Sequence, residues 1–271
     1  MLWRLSLALI LLAPVGNAAE LELVSRLRML SEHPHFGGIS GIEVFDEGRR
    51  AYLLSDRGRI FDATLNRDQG QISENKVKAG FVSWFGDDSE GLAFDGRRYF
   101  VSYEGVARVG QPWQQCFPGH PDFVDLRGNR ALEALAISDN GDFYALPEKR
   151  LDRDAGFPIY RSKFGGWDIV SHLEPNDKFK PVGADFGPDG LLYVLERSFG
   201  IWGFRSQIRR LNPDLGGAGE TIFVSDSADF DNLEGLSVWL DETGQTRLTL
   251  VADDNFEPFL RNELVEFILK E

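Results

Sequence analysis

Short apolar runs recur down this chain, each alternating with small or polar residues. Leu92 and Phe94 fall on one face of such a run, and Gly91 and Ala93 on the other. Ile42 with Val44, Leu135 with Ile137, and Leu236 with Val238 repeat the pattern. Alternation at period two predicts strands. A turn follows each run: Glu47-Gly48, Asp95-Gly96, Asn140-Gly141, Pro188-Asp189-Gly190 and Thr243-Gly244. Glycine supplies the positive φ that a tight hairpin needs. A second strand comes next, in the runs AYLLS, RYFVSY, FYALP, LLYVL and RLTLVA. Their aromatic and branched side chains suit packing between sheets.

These strand pairs form five repeats, at residues 37–61, 88–105, 129–150, 183–197 and 231–255. Aligned on Ser40, Glu90, Glu133, Asp185 and Glu234, they step by 50, 43, 52 and 49 residues. Short strands, glycine turns and a period in this range predict an all-β fold, a β-propeller. Weaker patterns at 59–65, 157–164 and 202–211 read as third strands, and those at 80–85, 167–173 and 220–226 as fourth strands. The last repeat has a third strand at 261–269 and then runs out of chain. The segment 21–30 is a spare strand, expected to complete the last blade and close the ring, which removes exposed sheet edges. The expectation is five four-stranded blades, or six if a degenerate repeat lies in 105–130 or 150–180.

Residues 1–19 have the plan of a secretory signal peptide: Arg4, an apolar run from Leu5 to Val15, and small residues for cleavage at Ala18 or Ala19. The run is too short to span a bilayer; a retained N-terminal anchor is the other reading. Residues 20–271 then form one propeller domain, periplasmic or secreted and expected as a monomer. Hydrophobic residues make up 42%, ample for a core. Cys116 is the only cysteine, so no intramolecular disulfide can form. The formal charge of −14 argues against nucleic acid and anionic membrane surfaces as partners.

Acidity alone keeps an exported protein soluble, but it does not explain why acids recur at one position of a repeat. The first strand of each propeller blade lines the central channel. Ser40, Glu90, Glu133, Asp185 and Glu234 begin or precede that strand, so the repeat would gather them in a ring. Four carboxylates so close cannot all stay ionised without a counter-charge. Either their pKa values rise or a cation binds. Ca²⁺, a hard ion that tolerates irregular oxygen cages, is the simpler solution; no histidine or cysteine recurs to suggest zinc. A second set closes the second strands: Asp56-Arg57, Glu104, Glu148-Lys149-Arg150, Glu196-Arg197 and Asp253-Asp254. Acids for metal beside Arg57, Arg150 and Arg197 for an anion would suit a small anionic ester. Alternatively these are solvated hairpin ends and intrablade pairs such as Glu196 with Arg197.

The segments I-S-G-I…S-D-R-G, S-E-G-L, L-E-A-L…P-E and L-E-G-L resemble the phytase-like family, also called the "esterase-like activity of phytase" domain, over roughly residues 35–270. A looser resemblance is to the five-bladed calcium-activated apyrases. Position by position, that resemblance implies Ser40, Glu90, Glu133 and Glu234 as calcium ligands, with Asp185 standing where a longer Glu is expected. The family name implies hydrolysis of a phosphate or carboxylic ester. A nucleophile elbow, a P-loop and a dinucleotide fingerprint are absent, and His33, His35, His120 and His172 lie outside the repeated motifs. Two functional classes follow. One is a Ca²⁺-dependent ester hydrolase in which Glu133 or Glu90 activates water. The other is a non-enzymatic ligand- or protein-binding propeller with a structural metal. Fold cannot decide between them.

Overall fold

A computed structural model of the chain describes residues 19–82, 88–112, 117–126, 128, 131–151, 155–163 and 166–271. The segment 1–19 read as a signal peptide lies outside them except for Ala19, and so does Cys116. The described elements begin with β1 (Glu20–Arg28). The first blade follows as β2 (Ile39–Phe45), β3 (Arg50–Ser55), β4 (Arg59–Asp68) and β5 (Gln71–Val82). Blade 2 holds β6 (Ser89–Phe94), β7 (Tyr99–Tyr103) and β8 (Arg108–Gly110). Blade 3 holds β9 (Leu132–Ile137), β10 (Phe143–Pro147), β11 (Phe157–Ser162) and β12 (Trp167–Leu173). Blade 4 holds β13 (Lys180–Phe186), β14 (Leu192–Gly200), β15 (Gly203–Leu211) and β16 (Glu220–Val224). The last blade has β17 (Asn232–Leu240), β18 (Thr246–Asp253) and β19 (Glu263–Lys270). Each sheet is an antiparallel meander; among the described residues blade 2 has three strands and the others four.

The five inner strands β2, β6, β9, β13 and β17 contact one another in a closed ring, a five-bladed propeller. β1 pairs with β19 from Glu20↔Lys270 to Arg28↔Glu263, so the N-terminal strand completes the last blade as expected. Five apolar clusters fill the five gaps between blades; Leu54 and Val101 meet in one, for example, and Ala134 and Val194 in another. Among the described residues, region 105–130 holds only β8 and a 3-10 turn at Pro121–Val124, not a sixth blade.

One strand differs from the sequence reading. β5 begins at Gln71, not at residue 80, and pairs directly with β4. Gln69 (φ 49°) and Gly70 (φ 81°) both adopt positive φ, as a two-residue hairpin turn requires. The run QISENKVK is mostly exposed because it is an outer strand, so it carries no clear apolar alternation.

Glycine fixes how closely the inner strands approach. A Cβ at Gly183 would lie 2.4 Å from the Glu234 carbonyl, and one at Gly91 2.7 Å from that of Glu133. The resulting waist is nearly filled: the gap between the inner strands holds about 10 Å³, roughly one water. The channel is therefore a cup closed at its base.

Candidate metal centre at the mouth of the propeller

Every inner strand carries a β-bulge near its start, where one extra residue faces none on the partner. The register skips Ser40, Glu90, Glu133, Val182 and Glu234 in turn. A bulge re-aims its side chain, and of the five equivalent residues Glu90, Glu133 and Glu234 line the mouth of the channel while Ser40 and Val182 lie at the waist below it. Blade 4 departs from the sequence alignment. Val182 holds the ring position and packs into the core, while Asp185 lies three residues further along β13. There its carboxylate accepts from the backbone N–H of Val238 (2.6 Å) and Phe186 (2.8 Å). Glu43 accepts from Phe94 N–H (3.2 Å), and Ser237 Oγ from Val44 N–H (2.9 Å), at the same repeat position. This is a belt of clamps between neighbouring blades, apart from the mouth. Burial pushes the Asp185 carboxyl up to about 7. Ser40 is also engaged: its hydroxyl donates to the Ser89 carbonyl at 3.0 Å.

The second set obeys the same geometry. Ser55, Tyr103, Pro147, Glu196 and Ala252 stand opposite the residue before each bulge. The residue after each of these, Asp56, Glu104, Glu148, Arg197 and Asp253, lines the cavity. In blade 4 the slot is therefore taken by Arg197, not Glu196. Glu196 points the other way and is fully buried, bonded to Arg209 at 2.6 Å through both oxygens and to Gln207 at 2.7 Å. Asp254 also leaves the mouth; it accepts from Gly38 N–H (2.8 Å) and Asn262 (2.6 Å). Arg57 lies outside the lining, its guanidinium 3.4 Å from the centre of the Phe256 ring. That ring belongs to the loop after β18, which thus ties the last blade to the first. Arg150 does line the cavity.

The two rings meet in one cavity of about 1100 Å³. Seven ring positions are carboxylates: Asp56, Glu90, Glu104, Glu133, Glu148, Glu234 and Asp253; Asp88 joins them from a loop. Glu90, Glu104 and Glu133 each bring a carboxylate oxygen within 4.8 Å of the others. Glu133 lies deepest, lining both the cup and the waist below it. Glu104 and Glu133 share a hydrogen bond. Arg197 counters only part of this charge: it bonds to Glu234 and Asn232 and lies 3.6 Å from Glu148, which Lys180 also meets at 3.2 Å.

Electrostatics follow from that shortage of cations. Burial, then the charges of Glu234, Glu104 and Asp56, raise Glu90 well above the usual carboxylate range. Burial and the Glu90 charge do the same to Glu133. Burial is also the main cause at Asp56, pushed up to about 6, and at Asp253, pushed up to about 8 with help from Glu234. An all-oxygen donor set held open against its own repulsion fits a hard divalent cation such as Ca²⁺ and does not fit zinc.

The part of the lining that comes from blades 3 and 4 adds cations and apolar surface: Lys149, Lys178 and Lys180 stand with Phe157, Phe179 and Phe199, and with Asp177 among them. Sequence reasoning missed Lys178, Lys180 and the phenylalanines, because most of them lie where the repeat signal lapses. Among the described residues no histidine lines the cavity, and Ser198 is the one hydroxyl residue that does. Among them, too, no helix is long and apolar enough to cross a membrane.

The sequence matches the phytase-like family, described as esterase-like activity of phytase, over residues 34–256. No curated protein matches. Among solved structures, the chain is similar to the catalytic domain of an α-L-arabinofuranosidase from Coprinopsis cinerea. The identity is 12% and the TM-score 0.52, covering 93% of this chain and 98% of that one. It also matches a Thermus thermophilus protein described as a putative oxidoreductase (glucose dehydrogenase), at 13% identity and TM-score 0.43, covering 90% and 100%. At such identities the likeness concerns fold alone.

Proposed function

From the premise that this chain belongs to the phytase-like family, we propose that it is an exported, Ca²⁺-dependent hydrolase of phosphate or carboxylic esters. The observation that carries this reading is the trio Glu90, Glu104 and Glu133, within 4.8 Å of one another in an open cavity whose lining also carries lysines and arginines. These three, with Glu234 beside them, would hold the cation. When bound, a divalent ion supplies Lewis-acid polarisation of the ester oxygen and a more acidic water. The residues of the chain do the rest. Arg197, Arg150 and Lys180 bind and orient the anionic group. Whichever of Glu133 and Glu90 faces the attacking water takes its proton. Asp253, which lines the same cavity, stands where it could pass a proton to the leaving oxygen. The same trio and cavity also suit the second reading, a ligand-binding propeller with a structural metal.

Thermal unfolding with EDTA, then with added Ca²⁺ or Mg²⁺, tests the metal directly, since binding to the folded state alone raises the midpoint. The expected result is a Ca²⁺-selective rise of several degrees, about 2.7 kcal/mol at a hundredfold excess over Kd. Glu90→Gln with Glu133→Gln should weaken Ca²⁺ at least about tenfold, ~1.4 kcal/mol, with the fold intact. An unchanged calcium titration in that variant sinks the site. Calcium binding without turnover of phosphate or carboxylic esters selects the binding propeller.

A further inference from the structure

The hairpin formed by β14 and β15 is longer than its counterparts and rises beside the cavity. Its register runs without a break from Leu192↔Leu211 to Gly200↔Gly203, so it is a stiff platform. Side chains at alternate positions share a face. Arg197, Phe199 and, directly across from Phe199, Phe204 therefore form one face, and all three line the cavity. Arg197 stands at the base, bonded to Glu234. About 7 Å further out, Phe199 and Phe204 meet with ring centres 4.8 Å apart. Phe199 is 70% exposed, and Ile201 and Trp202 at the tip are 91% and 76% exposed. One surface thus runs from an anion-binding base to a bare aromatic end, and it is continuous with the acidic cup.

Resting on the ester-hydrolase reading, the geometry points to an amphiphilic substrate: a phosphate ester whose acyl, alkyl or aryl group lies along Phe199 and Phe204 while its phosphate reaches Arg197 and the cation that the carboxylate trio would hold. Two observations argue for this occupant. The cavity, at about 1100 Å³, is far larger than a phosphate group needs. Its apolar part is not separated from the charged part, since Phe204 sits under the Arg197 guanidinium, 5.8 Å from ring centre to carbon. A wholly hydrophilic phospho-ester would leave the aromatic end without a partner.

The test is a binding series rather than an assay of turnover. Methyl, butyl and octyl phosphate are titrated against the full protein in Ca²⁺ and in EDTA, each below its micellar concentration, by calorimetry and by tryptophan fluorescence, with Trp202→Phe to assign the part of the signal that comes from the hairpin tip. Octyl phosphate should bind at least about tenfold tighter than methyl phosphate. Phe199→Ala, at an exposed site, should remove most of that advantage and leave methyl phosphate unchanged. Leu215→Ala, 80% exposed elsewhere on blade 4, should change neither. Equal affinity for methyl and octyl phosphate in Ca²⁺ overturns the apolar subsite while leaving the metal-centre reading intact. A Phe199-dependent octyl preference that persists in EDTA, with no calcium-induced rise in Tm, supports the subsite and sinks the metal. If the fluorescence responds only to phosphatidylcholine vesicles, the hairpin is a membrane contact and the substrate proposal is wrong.

Discussion

Buried carboxylates are treated in opposite ways at the seam that closes the propeller and at its mouth. At the seam Glu266 is fully buried and is met by Arg67 at 2.7 Å, from blade 1, and Arg247 at 2.8 Å, with Thr249 donating at 3.0 Å. Arg67 also packs over Trp239, 4.9 Å from ring centre to carbon. Glu196 is held likewise by Arg209. At the mouth, Glu90, Glu104 and Glu133 face one another, and among the described residues no lysine or arginine forms an ion pair with them. Desolvation is costly in both places. Arginines offset it at the seam, where position matters and no ligand enters. At the mouth the compensation is left to a proton or a cation from outside. Asp185 is a third case, a carboxylate held by backbone N–H groups.

The largest effect should come from breaking a paired carboxylate. Arg209→Met leaves Glu196 buried with Gln207 alone and orphans the carbonyls of Glu174 and Ala218. Urea unfolding should show a loss of about 3–5 kcal/mol; a loss under ~1 kcal/mol would mean that pairing is not what makes Glu196 tolerable. Asp185→Ala should cost less, about 1–3 kcal/mol, because it orphans two backbone donors but no charge. Calcium affinity should not move, and a tenfold change would return Asp185 to the mouth.

The smallest effect should have the opposite sign. Glu133→Gln removes repulsion, so in EDTA at pH 8 it should stabilise the protein by about 1 kcal/mol or leave it unchanged. The pH profile sharpens the contrast. Carboxyl groups whose folded pKa is raised hold protons that the unfolded chain has already released. The contribution of these groups to stability without calcium should therefore be full below about pH 4 and be lost as pH rises through about 6 for Asp56 and about 8 for Asp253. Calcium should reverse that loss, raising Tm more at pH 8 than at pH 5.5. A calcium effect that shrinks with rising pH would contradict binding to these carboxylates.

Much of the fold was legible because its signals are local. Alternation within Leu92–Phe94 or Leu236–Val238, followed by a glycine turn, needs no partner to be read. The repeat multiplied that signal, and the spare strand at 21–30 had one open place to go. The site was legible only in part. Glu90, Glu133, Glu234, Asp56, Glu104, Glu148, Arg197 and Asp253 come to one cavity, while Ser40, Asp185, Glu196, Asp254 and Arg57 engage elsewhere.

The sequence by itself determined the propeller class, the order of the strands within its repeats and the enrichment of acid at the starts of inner strands and the ends of second strands; the closed ring settled the blade count at five rather than six. Only the tertiary structure decided which member of each adjacent pair faces the mouth. A bulge adds one residue to one strand, and a one-residue offset moves a side chain to the other face of the sheet. That offset puts Arg197 rather than Glu196 in the second ring, and the bulge itself marks Val182, three residues before Asp185, as the first-ring position of blade 4. Its placement depends on how closely neighbouring inner strands pack, as at Gly91 and Gly183, and that is a property of the closed ring rather than of any one repeat.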